Sequence, residues 1–258
     1  MERFPRRSAA TATASRRSSI AKPVPSPSMK ASLTAAPAGR RPGVRELAAQ
    51  ATRDSILKAA IKVFSNHGFA GGRVEQISRA AKSYDRMIYY YFGSKEGLFI
   101  AALEEIYRRF NEAESSLALD LERPIDSLTG VVRFMWGYYQ KHPEFIRLLN
   151  SENLLRGKHL AKSPHAREYS SPAIEILERV LSSGVAQGVI RADVSARDVY
   201  LMIASLGYFY LSNRYTLTAF LGEPLEAPAA LDHWERFIID AVLRTVSAQA
   251  TTGSVEVR

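Results

Sequence analysis

The side chains best suited to chemistry sit close together: Tyr84, Asp85, Arg86 and Met87, then Tyr89, Tyr90 and Tyr91, then Lys95. These are groups that read and hold a nucleic acid. Arg86 can donate two parallel N–H bonds to a guanine, Asp85 can accept from a cytosine, and Met87 or Tyr84 can lie against a thymine methyl. The hydroxyls of Tyr89, Tyr90 and Tyr91 suit phosphate oxygens, and Lys95 suits a phosphate anchor.

To reach double-stranded DNA, such side chains must stand on the exposed first turn of a short helix. The surrounding pattern predicts one. Thr52 is a candidate N-cap, after which Ile56, Ala59, Ala60, Val63 and Phe64 recur at helical steps until Gly68 stops the run. Gly71 and Gly72 give a turn, and Val74, Ile77, Ala80 and Ala81 form the apolar stripe of a short second helix. Lys82 and Ser83 break it from a third, Tyr84 to Tyr91, with Ile88 and Phe92 facing inward. Two short helices joined by a tight turn and braced by a longer one is helix-turn-helix geometry. Within the aromatic run Phe92 is expected in the core, whereas Tyr90 is open between core and surface. Lys58, Lys62 and Lys82 read as ordinary surface charge.

Three ordered blocks carry a family resemblance: Thr52 to Phe69, Val74 to Ala81, and Ile88-Tyr-Tyr-Tyr-Phe-Gly-Ser-Lys-Glu-Gly-Leu98. With these gaps they resemble the DNA-binding domain of TetR-family transcriptional regulators. The resemblance implies that Tyr89, Tyr91 and Lys95 touch the DNA backbone or base edges. Gly72 matches a place where a Thr commonly caps the second helix and binds phosphate, which leaves only its backbone N–H for that contact. Lys82-Ser83 replaces the usual Gly-Val turn, and Tyr84 to Met87 replace small residues. Both changes bear on the operator read rather than on the fold.

Charge divides the chain. The whole carries +9, but residues 1–45 hold ten basic residues against Glu2 alone, so the remaining 25 basic and 25 acidic residues cancel. This arm is rich in Ala, Ser, Thr, Pro and Arg and has little to bury, so it is expected to be disordered. It is Arg-rich and acid-poor like a transit peptide, yet Pro23, Pro25 and Pro27 oppose an amphipathic stripe, and no apolar block makes it a secretory signal. Two readings stay open: a basic arm that attracts phosphates by counterion release, or a start placed upstream of Met29. Residues 46–97 carry +3 and residues 98–258 carry −3. So modest a charge points to a dimer with two reading heads about one DNA turn (~34 Å) apart on a pseudo-palindrome.

Residues 98–258 predict further helices over Glu96 to Leu119, Pro124 to Lys141, Glu144 to Leu155, Ala166 to Ala186, Ser195 to Tyr215 and Pro228 to Val246. The fold class is therefore all-α: an N-terminal helix-turn-helix domain and a larger helical domain for effector binding and dimerisation. An aromatic helix carrying Phe134, Trp136, Tyr138 and Tyr139 precedes one carrying Asn150 and Asn153, the makings of an apolar pocket with a few orienting polar groups. Tyr138, Asn150 and Asn153 are the candidate lining for a small-molecule effector. His142 reads as a helix-start residue ahead of Pro143. The family resemblance implies a homodimer through the two C-terminal helices, with Leu201, Tyr208, Phe209, Trp234 and Phe237 on the relevant faces. Asn213 to Tyr215 and the Gly222 to Ala227 loop are expected near the pocket or the dimer seam. The stretch from His142 to Leu154 is similar to a family branch that includes regulators of nitrogen-compound and aromatic catabolism.

No Cys is present, which excludes thiol nucleophiles, disulfides and zinc knuckles and leaves a cytoplasmic setting unopposed. The longest apolar run, Tyr200 to Leu211, is short of a membrane span. Metalloprotease, P-loop, dinucleotide and nucleophile-elbow patterns are missing, so neither cofactor nor metal nor enzyme activity is expected. The competing readings are a sequence-tolerant architectural DNA binder and, behind it, an α-helical enzyme.

Overall fold

The computed structural model describes residues 43–165 and 172–248. The basic arm as far as residue 42, with Met29, lies outside the described residues, as do positions 166–171 of the helix expected from Ala166. The described residues form nine α-helices: α1 Val44–Gly71, α2 Val74–Ala80, α3 Asp85–Phe92, α4 Lys95–Ser115, α5 Pro124–Lys141, α6 Pro143–Leu154, α7 Pro172–Ala186, α8 Ala196–Leu221 and α9 Pro228–Val246. A 3₁₀ turn, Leu160–Lys162, links α6 to α7. Among the described residues, no helix is long and apolar enough to cross a membrane, and no cluster of His, Cys, Asp and Glu is arranged to hold a metal.

Thr52 is not the N-cap. The Val44 to Ala51 segment is made of good helix formers, so α1 starts earlier behind Gly43, and the Thr52 hydroxyl donates to the Ala48 carbonyl at 2.9 Å inside the helix. The regular helix does end where expected, at Gly68, whose backbone leaves the helical region at φ 65° before one more turn reaches Gly71. Farther on, α4 stops at Ser115, short of Leu119, while α8 outruns its expected end at Tyr215 and closes at a left-handed Gly222, whose N–H donates to Thr218.

The reading head is built around fully buried Ile56, Ala60 and Phe64 of α1, Ile77 of α2 and Ile88 of α3, with Leu98, Phe99 and Ala102 of α4 closing the core. Helix α1 packs against both α4 and α6, so the head rests directly on the larger helical region. There, Leu128, Val131, Met135 and Trp136 of α5 form a second apolar centre with Leu177 and Val180 of α7 and Val242 of α9. Burying side chains of this size contributes roughly 1.5–3 kcal/mol each, which fixes helix positions despite short connections.

Candidate nucleic-acid interface and effector cavity

Helix α3 starts behind Tyr84, the extended residue that precedes its first turn. Its inner side is set by Ile88, and its outer side presents Tyr84, Tyr89 and Tyr90 at 72, 52 and 77 % exposure. Tyr90 therefore belongs to the surface, with its ring edge-on to Tyr91 at 5.0 Å. Arg86 is also exposed, its guanidinium 5.3 Å from the centre of the Tyr84 ring. Such stacking narrows the rotamers of a flexible cation and holds it at the head of the helix.

Other expected contacts are engaged within the fold. The Asp85 carboxylate accepts a hydrogen bond from the Ser78 hydroxyl and so braces α3 against α2. Met87, Tyr91 and Phe92 are half-buried against the core, and the Arg53 guanidinium covers the Phe92 ring at 5.0 Å. Lys95 opens α4 behind Ser94, whose hydroxyl accepts from the Gly97 N–H at 2.9 Å. The Lys95 ammonium donates to the Ala70 carbonyl at 3.3 Å and lies 5.0 Å from the centre of the Phe69 ring, which ties α4 to the end of α1.

Gly72 does not have the free donor its place in the motif suggested. Its N–H donates to the Gly68 carbonyl at 3.0 Å, and the residue is buried. A Cβ there would sit 2.5 Å from a Phe64 ring carbon, so close packing explains the glycine. Two further exposed cations on the same head had no distinguishing signal in the sequence, Arg73 at the start of α2 and Lys82 in the α2–α3 turn. The Arg73 backbone N–H donates to Gln76 Oε1 at 3.3 Å, leaving the guanidinium to solvent. Lys82 adopts φ 51°, the left-handed backbone that the glycine of the usual turn would take more easily.

In the helical region a cavity of about 290 Å³ is lined by Tyr107, Tyr139, Phe145, Asn153, Tyr200 and Tyr208, among others. Burial pushes the Tyr107 hydroxyl up to about 12 and raises Tyr139 well above the ordinary phenol value, so both are hydrogen-bonding neutral groups. Asn153 lines the cavity. Asn150 stands behind it, with its Oδ1 accepting from the hydroxyls of Tyr208 and, at 3.3 Å, Ser212. Tyr138 points elsewhere, into a cluster with Phe110 at 4.8 Å and His142 at 4.1 Å, and burial pushes its hydroxyl up to about 12. Neighbouring positions on a helix diverge by about 100°. That is why Tyr139, and not Tyr138, faces the cavity.

A second groove, about 380 Å³, holds Arg214 and Tyr215 beside Glu226 of the following loop. Arg214 is largely buried and pairs with Glu226 at 2.6 Å. On α8 and α9, Phe209, Phe220, Leu221 and Phe237 remain 57, 79, 59 and 46 % exposed, whereas Ile238 and Val242 turn inward. Trp234 bridges the two environments, stacked on Phe237 at 4.8 Å and on Tyr210 at 4.9 Å.

Residues 56–102 match the pattern of the bacterial regulatory proteins of the tetR family, and residues 124–242 match the tetracyclin repressor-like C-terminal domain. The chain is 53 % identical over 205 residues to the HTH-type transcriptional repressor NicS of Pseudomonas putida, covering 80 % of this chain and 97 % of that one. It is 29 % identical over 157 residues to the HTH-type transcriptional repressor SCO4008 of Streptomyces coelicolor, covering 61 % and 77 %. Its fold is similar to that of the transcriptional regulator SCO4942 of Streptomyces coelicolor, with a TM-score of 0.58 at 21 % identity over 76 % of this chain and 99 % of that one. A TetR transcriptional regulator of Chloroflexus aurantiacus aligns with a TM-score of 0.57 at 19 % identity over 78 % and 99 %. An exposed reading helix on a braced three-helix head, joined to a helical region matched over most of its length, leads to one conclusion: the chain belongs to the TetR family of helix-turn-helix transcriptional regulators.

Proposed function

We propose that the protein is a ligand-responsive repressor that binds a pseudo-palindromic operator as a homodimer and is released by a small molecule. The observation that carries this reading is the outward face of α3, where Tyr84, Arg86, Tyr89 and Tyr90 are exposed on a helix whose inner side is fixed. Arg86 is the base-reading residue. Tyr89 and Tyr90, together with Arg73 and Lys82, hold phosphates. Lys95, Tyr91, Met87 and Asp85 position the helix, and Gly72 lets α1 and α2 approach.

The dimer forms through α8 and α9, whose exposed Phe209, Phe220, Leu221 and Phe237 are large apolar side chains that a partner subunit would cover. The effector enters the tyrosine-lined cavity. At about 290 Å³ it lies at the low end of ligand pockets (~300–1,000 Å³), and its phenols and Asn153 suit a small ring compound with hydrogen-bonding groups. A complete swing from operator-bound to free requires the effector to favour the released state by roughly 5.5 kcal/mol.

Selecting bound fragments from the host's own genomic DNA tests the reading. A shared pseudo-palindrome among the fragments is the expected result. Recovery of random fragments would favour an architectural binder instead.

A further inference from the structure

His159, in the connection between α6 and the 3₁₀ turn, is 1 % exposed and has two different environments on its two faces and edges. Its Nδ1 lies 2.8 Å from Glu152 Oε2. The other carboxylate oxygen of Glu152 accepts the backbone N–H of His159 at 2.7 Å and of Leu160 at 2.9 Å, so one side chain near the end of α6 fastens the returning chain at three points. The carboxylate is the acceptor, which places the Nδ1 proton on the imidazole. Nε2 is buried, has no hydrogen-bond partner among the described residues, and lies 3.9 Å from Glu96 Oε1 at the start of α4.

The ring itself is wedged against Phe69 at 4.5 Å and Phe99 at 4.9 Å, and those two rings also touch each other at 5.2 Å, so the three form a triangle. Phe69 belongs to the last turn of α1, directly before α2, and Lys95 covers its ring. Around this wedge, α6 holds the same turn twice more: Arg147 donates to Asn66 Oδ1 at 2.8 Å, and the Phe69 N–H donates to the Ser151 hydroxyl at 3.4 Å. On the same helix, Asn153 lines the tyrosine cavity, next in sequence to Glu152. A shift of α6 that changes the Asn153 side must therefore move Glu152, and with it the wedge under Phe69.

We propose that His159 is a positioning residue for DNA reading: the Glu152–His159 pair, packed against both Phe69 and Phe99, is the latch by which α6 fixes the α1–α2 turn and hence the orientation of α3. The latch depends on both halves of the imidazole, the donor to Glu152 and the flat ring packed on two phenylalanines. Loss of either loosens residues 66–72 without loosening the α8–α9 end of the molecule.

The full chain with His159→Asn, which keeps a donor near Glu152 and removes the ring, is compared with His159→Phe, which keeps a ring and removes the donor. Hydrogen exchange is followed in peptides covering residues 66–72, α3 and α9, together with affinity for genomic fragments selected by the unaltered protein. In both variants we expect exchange over residues 66–72 to accelerate about tenfold or more with α9 unchanged, and affinity for the selected fragments to fall about tenfold. Unchanged exchange over residues 66–72 overturns the latch. So does acceleration spread equally over α9, or failure of both variants to fold, since each assigns His159 to general core packing. The DNA arm rests on the proposed function, but the exchange arm does not: a latch that fails leaves operator selection by the unaltered protein intact, whereas failed operator selection leaves the exchange result standing.

Discussion

Arg86 and Arg73 are both exposed cations on the reading head, but they stand in different places. Arg86 heads α3 and leans on Tyr84, where the proposed function puts the base edges, while Arg73 flanks α2. Arg86→Ala should therefore relax base preference at one operator position by about 1–3 kcal/mol. Arg73→Ala should weaken all sequences alike and flatten the salt slope by about one unit. Affinity titrations over single-base operator variants and over salt separate the two, and the same pattern for both variants would contradict these roles. The buried phenols give a second expectation at this scale. Burial pushes the Tyr107 and Tyr138 hydroxyls up to about 12 from the ordinary 10.0, so the folded state holds their protons more tightly. Their contribution is fully present below pH 10 and is lost as pH rises through about 12, because the unfolded chain ionises first. The tyrosinate absorbance removed by Tyr107→Phe and Tyr138→Phe should be a part that appears together with loss of helix, and a loss of absorbance already at pH 10 in the fully helical protein would contradict the burial argument.

At the scale of elements, the distance between α3 and α4 is set by Gly97. A Cβ there would sit 2.1 Å from the Phe92 carbonyl oxygen, which no side-chain movement can relieve. Gly97→Ala should cost about 1–3 kcal/mol in thermal unfolding, the range for forcing atoms into a packed site. Lys82→Gly, at φ 51° in the α2–α3 turn, should gain about 1 kcal/mol by the same assay. The helix order, Gly68, and the Pro-opened starts of α5 and α9 were legible because periodic apolar residues and breakers act locally. What was not legible lies between elements. Asp85 and Lys95 have the right chemistry for DNA, and folding also gives them Ser78 and Ala70 as partners, which no local pattern shows. Tyr138 and Tyr139 are equally aromatic in sequence, and only the rotation of α5 on α4 and α8 decides which faces the cavity. Glu152 and His159 carried no periodic signal at all, because their partnership depends on how the chain returns after α6.

For the whole molecule, the charge distribution and the exposed apolar face point the same way. A single head with +3 would hold DNA weakly, and two heads joined by the proposed α8–α9 seam would gain by acting on one site together. Phe209→Glu, which places a charge on that face, should yield monomers in analytical ultracentrifugation and lower operator affinity about a hundredfold or more. A dimer that persists with this substitution would place the seam elsewhere. The measurement closest to the central claim is the ratio of affinities for a selected genomic operator and for a scrambled duplex of the same length at one physiological salt concentration. A sequence-reading repressor should show a ratio of about 10³ or more. A ratio near one would contradict the account, however tightly both duplexes were bound.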